Sequence, residues 1–222
     1  PAGGGRPNGI CRPSSKGVTA VFCEPKAEKN GVKLGVYFFS TAISQEEAVE
    51  EADWTADFIA QYPITYPVVY DCEGFTDMDS RQYGMSKTER TDIALAFLKR
   101  IEQRGYEGMF YAAKNELQDE TLWETSRIEK HYKIWVAQFP GDADPAVHTS
   151  SYTGDHQMWQ YTMEGSVPGI SQPVDMNVAY FGYDGVEKPK DETPPAEAFP
   201  DVEALMAFAT CARPLSTNSL AS

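Results

Sequence analysis

The run Tyr66-Pro67-Val68-Val69-Tyr70 closes on Asp71-Cys72-Glu73, and no other stretch limits the fold as sharply. Apolar β-branched and aromatic residues at that density read as a buried strand. Side chains alternate across a strand, so Asp71 and Glu73 share a face, with Cα atoms about 6.5–7 Å apart. Two carboxylates on one face at the end of an apolar strand are costly to bury. Cys72, between them, is expected to face away as plain packing.

Around that strand, residues 31–185 alternate strand-like and helix-like stretches. Residues 32–39 read as a strand. Ser44 followed by Glu47 is a capping-box signature, and the helix it opens, about residues 45–61, carries Ala48, Ala52, Thr55 or Ala56, and Ile59 at helical spacing. Ser86 and Glu89 form a second box, before a helix with Ile93, Phe97 and Ile101 on one face that stops near Gly105. Short strands follow at 108–112, 134–139, 157–161 and 174–177. A βαβα rhythm giving way to consecutive strands predicts an α/β fold, either a parallel barrel or an open sheet; the barrel is the expectation.

A chain of 222 residues with 41% hydrophobic content can bury one domain's core. The formal charge of −14 argues against nucleic acid, whose phosphates want a basic surface. Cys11, Cys23, Cys72 and Cys211 show no CxxC spacing, and His131, His148 and His156 no ligand spacing, so no metal is expected. No apolar run approaches the roughly 20 residues of a membrane span. No secretory signal is read at the N-terminus. Residues 1–27 form an atypical Gly- and Pro-rich segment in which only 17–22 reads as a strand. Residues 186–222 read as a Pro-rich linker and short tail, with an apolar helix expected over 202–211.

Several chemistries use a paired carboxylate. Glycoside cleavage needs one group holding a proton for the leaving oxygen and another stabilising positive charge on the sugar. A divalent metal could also use the pair, and a salt-bridged strand end is the purely structural reading.

The order of segments favours the first. Residues 35–40, Asp71-Cys72-Glu73, residues 134–139, Met158-Trp159-Gln160-Tyr161, Gly169-Ile170 and Val174-Asp175-Met176-Asn177 together resemble the family 25 glycoside hydrolases, lysozymes (N-acetylmuramidases) of bacteria and phages. The resemblance covers roughly residues 28–184. It implies a modified TIM-like (β/α) barrel over residues 28–185, with later strands joined by short connections. By motif, Glu73 looks like the acid that protonates the bond between N-acetylmuramic acid and N-acetylglucosamine. Asp71 looks like the partner that orients the 2-acetamido group or stabilises the charged intermediate, and Asp175 like a third carboxylate. Tyr37, Trp135, Trp159, Gln138 and Gln160 look like substrate-binding residues. The resemblance further implies peptidoglycan strands as the partner, no cofactor, no membrane, a monomer, and an extracellular or cell-wall location.

One departure stands out. The family's barrel opens on a Gly-x-Asp-x-Ser strand, and residues 1–23 contain neither Asp nor Glu, so a barrel incomplete at its N-terminus is expected. A non-catalytic relative that binds cell-wall glycan is the alternative function.

Overall fold

The computed structural model describes residues 33–141, 144–146, 148–182 and 205–208. Seven strands form one sheet in chain order: β1 (Leu34–Phe39), β2 (Ile64–Asp71), β3 (Gly108–Ala113), β4 (Lys133–Ala137), β5 (Met158–Gly165), β6 (Val174–Ala179) and β7 (Leu205–Phe208). Strands β1 to β5 run parallel, while β6 and β7 return antiparallel. The described helices are α1 (Gln45–Ile59), α2 (Lys87–Gln103), α3 (Lys114–Gln118) and α4 (Thr125–Glu129). Each strand lies beside its neighbour in sequence, as in a barrel wall laid down one βα unit at a time. The architecture is an incomplete TIM-like barrel, as expected.

The two long helices form where their caps dictate. Ser86 accepts from the Glu89 backbone N–H at 3.3 Å, and Glu89 Oε2 accepts the Ser86 N–H at 3.0 Å, closing a full capping box. At α1 the box is half made. Ser44 accepts from the Glu47 N–H at 3.2 Å, but the Glu47 carboxylate turns to the Ile43 N–H and to Arg81. Ala48, Ala52, Thr55, Ala56 and Ile59 are buried along α1, and Ile93, Phe97 and Ile101 along α2. Those faces pack on the sheet with Phe38, Val68, Tyr70, Phe110, Val136 and Trp159 in the larger core.

The other face of the sheet carries a smaller core of Tyr66, Val69, Met109, Trp135, Met158 and Ala179, with Tyr37 and Tyr111 packed against it. Alternation along β2 places Asp71 on that same concave face. Pairing aligns Asp71 with Tyr111, Tyr111 with Trp135, and Trp135 with Met158 in one row, and Ala137, Gln160 and Asn177 in the next row.

Two elements differ from expectation. The described part of the expected tail helix, Leu205–Phe208, is a strand that pairs with β6 from Val178↔Leu205 to Asp175↔Phe208. Its Leu, Met and Ala favour helix locally, but the edge of β6 offers backbone partners that a lone short helix lacks. Between β3 and β4, α3 and α4 occupy a stretch with no helix signature, being five residues each and lacking side-chain caps. Residues 17–22, expected as a strand, lie outside the described residues. No helix among the described residues is long and apolar enough to cross a membrane.

Candidate active site

Asp71 ends β2 and is 7% exposed, buried under its neighbours with Oδ1 making no hydrogen bond. Glu73 lies two residues past the strand end and is exposed. Gly74 follows at φ +66°, a left-handed turn that only glycine takes without strain, and its carbonyl accepts the Asp77 N–H at 3.0 Å. That turn ends the strand and leaves Glu73 at the mouth of the hollow while Asp71 stays within.

Six other side chains gather there. Tyr111 on β3 donates its hydroxyl to Gln160 Oε1 on β5 at 2.7 Å. Trp135 on β4 packs edge-on against Tyr111, with ring centroids 4.9 Å apart, and donates its indole N–H to Asn177 Oδ1 on β6 at 3.0 Å. Asp175 stands two residues before Asn177 on the same strand face, half-buried. Its charge reaches both Glu73 and Tyr111. Glu116, on the first turn of α3, interacts electrostatically with both Asp71 and Glu73.

This crowd of acids shifts its own protonation. Burial lifts the Asp71 carboxyl well above the ordinary carboxylate range, and the negative charges of Glu73 and Glu116 push it further. Glu73 is raised as well, first by loss of water around its carboxyl and then by Asp175, while the Tyr111 hydroxyl against it offsets part of the rise. Burial, then the charges of Glu73, Asp71 and Asp175, keep the Tyr111 phenol protonated. The Cys72 thiol is raised by burial and contacts Gln82 Oε1 at 3.1 Å on the opposite face, the packing role expected of it.

The sequence-derived site residues thus divide. Asp71, Glu73, Asp175, Trp135 and Gln160 come together, and Tyr37 sits half-buried beside the same concave core. Trp159 does not join them. It is fully buried in the helix-facing core, with its indole N–H donated to the Gln138 carbonyl at 2.9 Å, so it offers no ring face to a ligand. Gln138 braces a loop instead, accepting from Ser150 at 2.7 Å and from the Ser151 N–H at 2.9 Å. Tyr111 and Glu116 belong to the site but carry no motif, while Asn177, also in the site, lies within the Val174-Asp175-Met176-Asn177 segment, whose Asp175 alone is given a role. Tyr111 was findable by alternation on β3, since it follows Met109 onto the concave face; Glu116 was not, because α3 has no signature.

No group of three or more His, Cys, Asp or Glu side chains among the described residues is arranged to hold a metal ion. What the arrangement can do is hold protons among clustered carboxyls beside aromatic rings, at the end of a parallel sheet where barrel sites are built.

The fold has known counterparts. The chain is similar to the modular autolysin LytC of Streptococcus pneumoniae at 24% identity and a TM-score of 0.55, over 68% of this chain and 35% of that one. The bacterial lysozyme of Streptomyces coelicolor gives 23% identity and a TM-score of 0.54, over 72% and 73% of the two chains. The muramidase of Acremonium alcalophilum gives 18% and 0.51, over 71% and 72%. The chain therefore spans about a third of LytC and nearly three quarters of the other two. No curated protein sequence matches it. The sequence profile of glycosyl hydrolases family 25 matches residues 23–170, which include Asp71, Glu73 and the strands β1 through β5. The chain belongs to glycosyl hydrolases family 25.

Proposed function

We propose that this protein is a peptidoglycan hydrolase that cleaves the β-1,4 bond between N-acetylmuramic acid and N-acetylglucosamine, with Glu73 as general acid and Asp71 as its partner. The observation that carries the reading is the pairing of a buried and an exposed carboxyl, both raised, at the open end of the sheet in a family 25 chain. Ionising both is opposed by burial and by nearby negative charge, so the pair holds its proton to higher pH than free carboxyls do. Glu73 is the member a substrate can reach. It gives its proton to the glycosidic oxygen as that bond breaks. The 2-acetamido oxygen of the sugar closes on the anomeric carbon, and Asp71 orients that group from below. Water then adds to the anomeric carbon, returning its proton to Glu73.

The supporting residues have smaller parts. Tyr111, half-buried and fixed by Gln160, is the aromatic candidate for a sugar face, with Trp135 buried behind it and held by Asn177. Tyr37 is a further candidate for stacking. Asp175 keeps Glu73 protonated through its charge. The peptidoglycan complex solved for LytC shows a relative with this fold holding such a ligand. Cell wall or extracellular space is the matching location. Purified full-length chain should release reducing ends from peptidoglycan, and Glu73→Gln should lower the rate about 10²- to 10⁴-fold. Glycan binding without any release would favour the non-catalytic alternative.

A further inference from the structure

Strands β1 to β5 run parallel, so the residues just past their C-terminal ends share one rim, and Glu73 lies on it past β2. Lys114 lies on that rim past β3, and Gln138 and Phe139 past β4. Pairing puts Ala113 beside Ala137 and Ala137 beside Gln160, whose side chain holds the Tyr111 hydroxyl. Lys114 is therefore one residue above the row that contains Gln160, and at most about 11 Å along the chain from Tyr111. Its ammonium donates to Ser151 Oγ at 2.7 Å, and Gln138 Nε2 donates to the same oxygen at 2.9 Å. Gln138 Oε1 accepts from Ser150 and from the Ser151 N–H, which ties that loop to the end of β4. An ammonium has three N–H donors, and this one spends a single donor; a hydroxyl oxygen that accepts twice still has its own proton to give. The other described cations at this end are committed. Arg81 is paired to Glu47 at 3.0 Å, Lys87 donates to the Glu120 carbonyl at 2.7 Å, and Arg90 to the Leu122 and Met85 carbonyls at 2.6 and 2.9 Å. Among the described residues no carboxylate pairs with Lys114, so its full charge stands beside a hollow whose other charges are acids. Phe139, next to Gln138, is 44% exposed and lies two residues past Ala137, on the side of β4 that alternation turns to the hollow.

We propose that Lys114, Ser151 and Phe139 form a subsite for the peptide stem of the muramic residue, and so set a preference for stem-bearing over bare glycan. This rests on the reading of the chain as a peptidoglycan hydrolase. A bare sugar offers hydroxyls and no charge. The lactyl–peptide arm that distinguishes a muramic residue from N-acetylglucosamine adds amide carbonyls, a carboxylate and small apolar side chains. The acids of the hollow repel that carboxylate, whereas the Lys114 ammonium attracts it. Lys114 and Ser151 donate to the arm's oxygens, and Phe139 covers its apolar side chains. Held by a hydroxyl and not by a carboxylate, the ammonium has no ion pair to break when the stem arrives.

The test has two arms on the full chain. Binding is read by NMR shift titration with a soluble N-acetylmuramyl peptide, which has no glycosidic bond to cleave, against N-acetylmuramic acid and N-acetylglucosamine. Wild type should bind the muramyl peptide about tenfold tighter than either monosaccharide; Lys114→Met should lose about tenfold on the peptide, and Lys114→Arg less. Cleavage is read as kcat and KM on peptidoglycan with its stems and on peptidoglycan stripped of them by an amidase. The preference for stem-bearing glycan should fall about tenfold in Lys114→Met, chiefly through KM. Equal binding of the muramyl peptide by wild type and a folded Lys114→Met overturns the proposal, and so does N-acetylmuramic acid binding as tightly as the muramyl peptide. Should Lys114→Met fail to fold, Phe139→Ala, whose exposed ring lies outside the core, must weaken muramyl-peptide binding several-fold to sustain it. Stem-dependent binding in a chain that cleaves neither glycan would sink the proposed hydrolase and leave the subsite standing. Cleavage of both glycans by wild type at equal kcat/KM would sink the subsite and leave the hydrolase standing.

Discussion

Burial and the nearby carboxylates penalise an ionised Asp71, and that penalty has a thermodynamic signature. Its folded-state pKa is raised, so the folded chain holds this proton more tightly than the unfolded chain does. Its contribution to stability is fully present below the ordinary aspartate range and is lost as pH rises through the folded value. Glu116 behaves alike over the window from 4.5 to about 7. Asp71→Asn removes the cost of burying the anion, so its urea midpoint should exceed wild type at pH 8 and match it near pH 4. Equal midpoints at both pH values would show that Asp71 is not the buried, proton-retaining carboxyl described above. Trp159 makes the opposite case. Since its ring is wholly inside the helix-facing core, Trp159→Ala should cost about 3–5 kcal/mol in urea unfolding, as a cavity mutation does. Both acids were legible from Asp71-Cys72-Glu73, because strand alternation fixes their common side. The face of Trp159 was legible too, being one residue from Gln160 on the same strand, yet the family resemblance placed both among the substrate-binding residues.

Local chemistry explains why the helices were readable and the connections were not. Ser86 and Glu89 satisfy each other's backbone donors, whereas Ser44 caps alone because Glu47 is drawn to Arg81 and Ile43. Ser86→Ala should therefore cost about 1 kcal/mol, and more than Ser44→Ala, by urea denaturation. A larger loss at Ser44 would contradict the half-made box. The strand runs were found because their β-branched and aromatic residues pack on both faces of the sheet. The helices α3 and α4 escaped notice because five residues make barely one turn, and their backbones lean on tertiary contacts such as Thr125 Oγ1 donating to the Leu117 carbonyl at 2.9 Å. Glu116 rode into the site on one of these, and Leu205–Phe208 became a strand only because β6 had an edge to offer.

At the scale of the molecule, a sheet wound in sequence order brings side chains from β2, β3, β4, β5 and β6 to one hollow although they span Asp71 to Asn177 in the chain. No pairwise motif encodes that convergence; the order of segments did, which is why the family was legible while Tyr111 and Asn177 were not singled out. The incomplete barrel still holds its acids because their supports are contributed by β2 through β6. The decisive measurement is reducing-end release from purified peptidoglycan by the full chain, wild type against Glu73→Gln, with melting curves to confirm that both are folded. Release by wild type, lost about 10²- to 10⁴-fold in a Glu73→Gln protein of unchanged melting temperature, is the predicted result. A folded wild type that releases nothing, or a Glu73→Gln that releases as much, would contradict it.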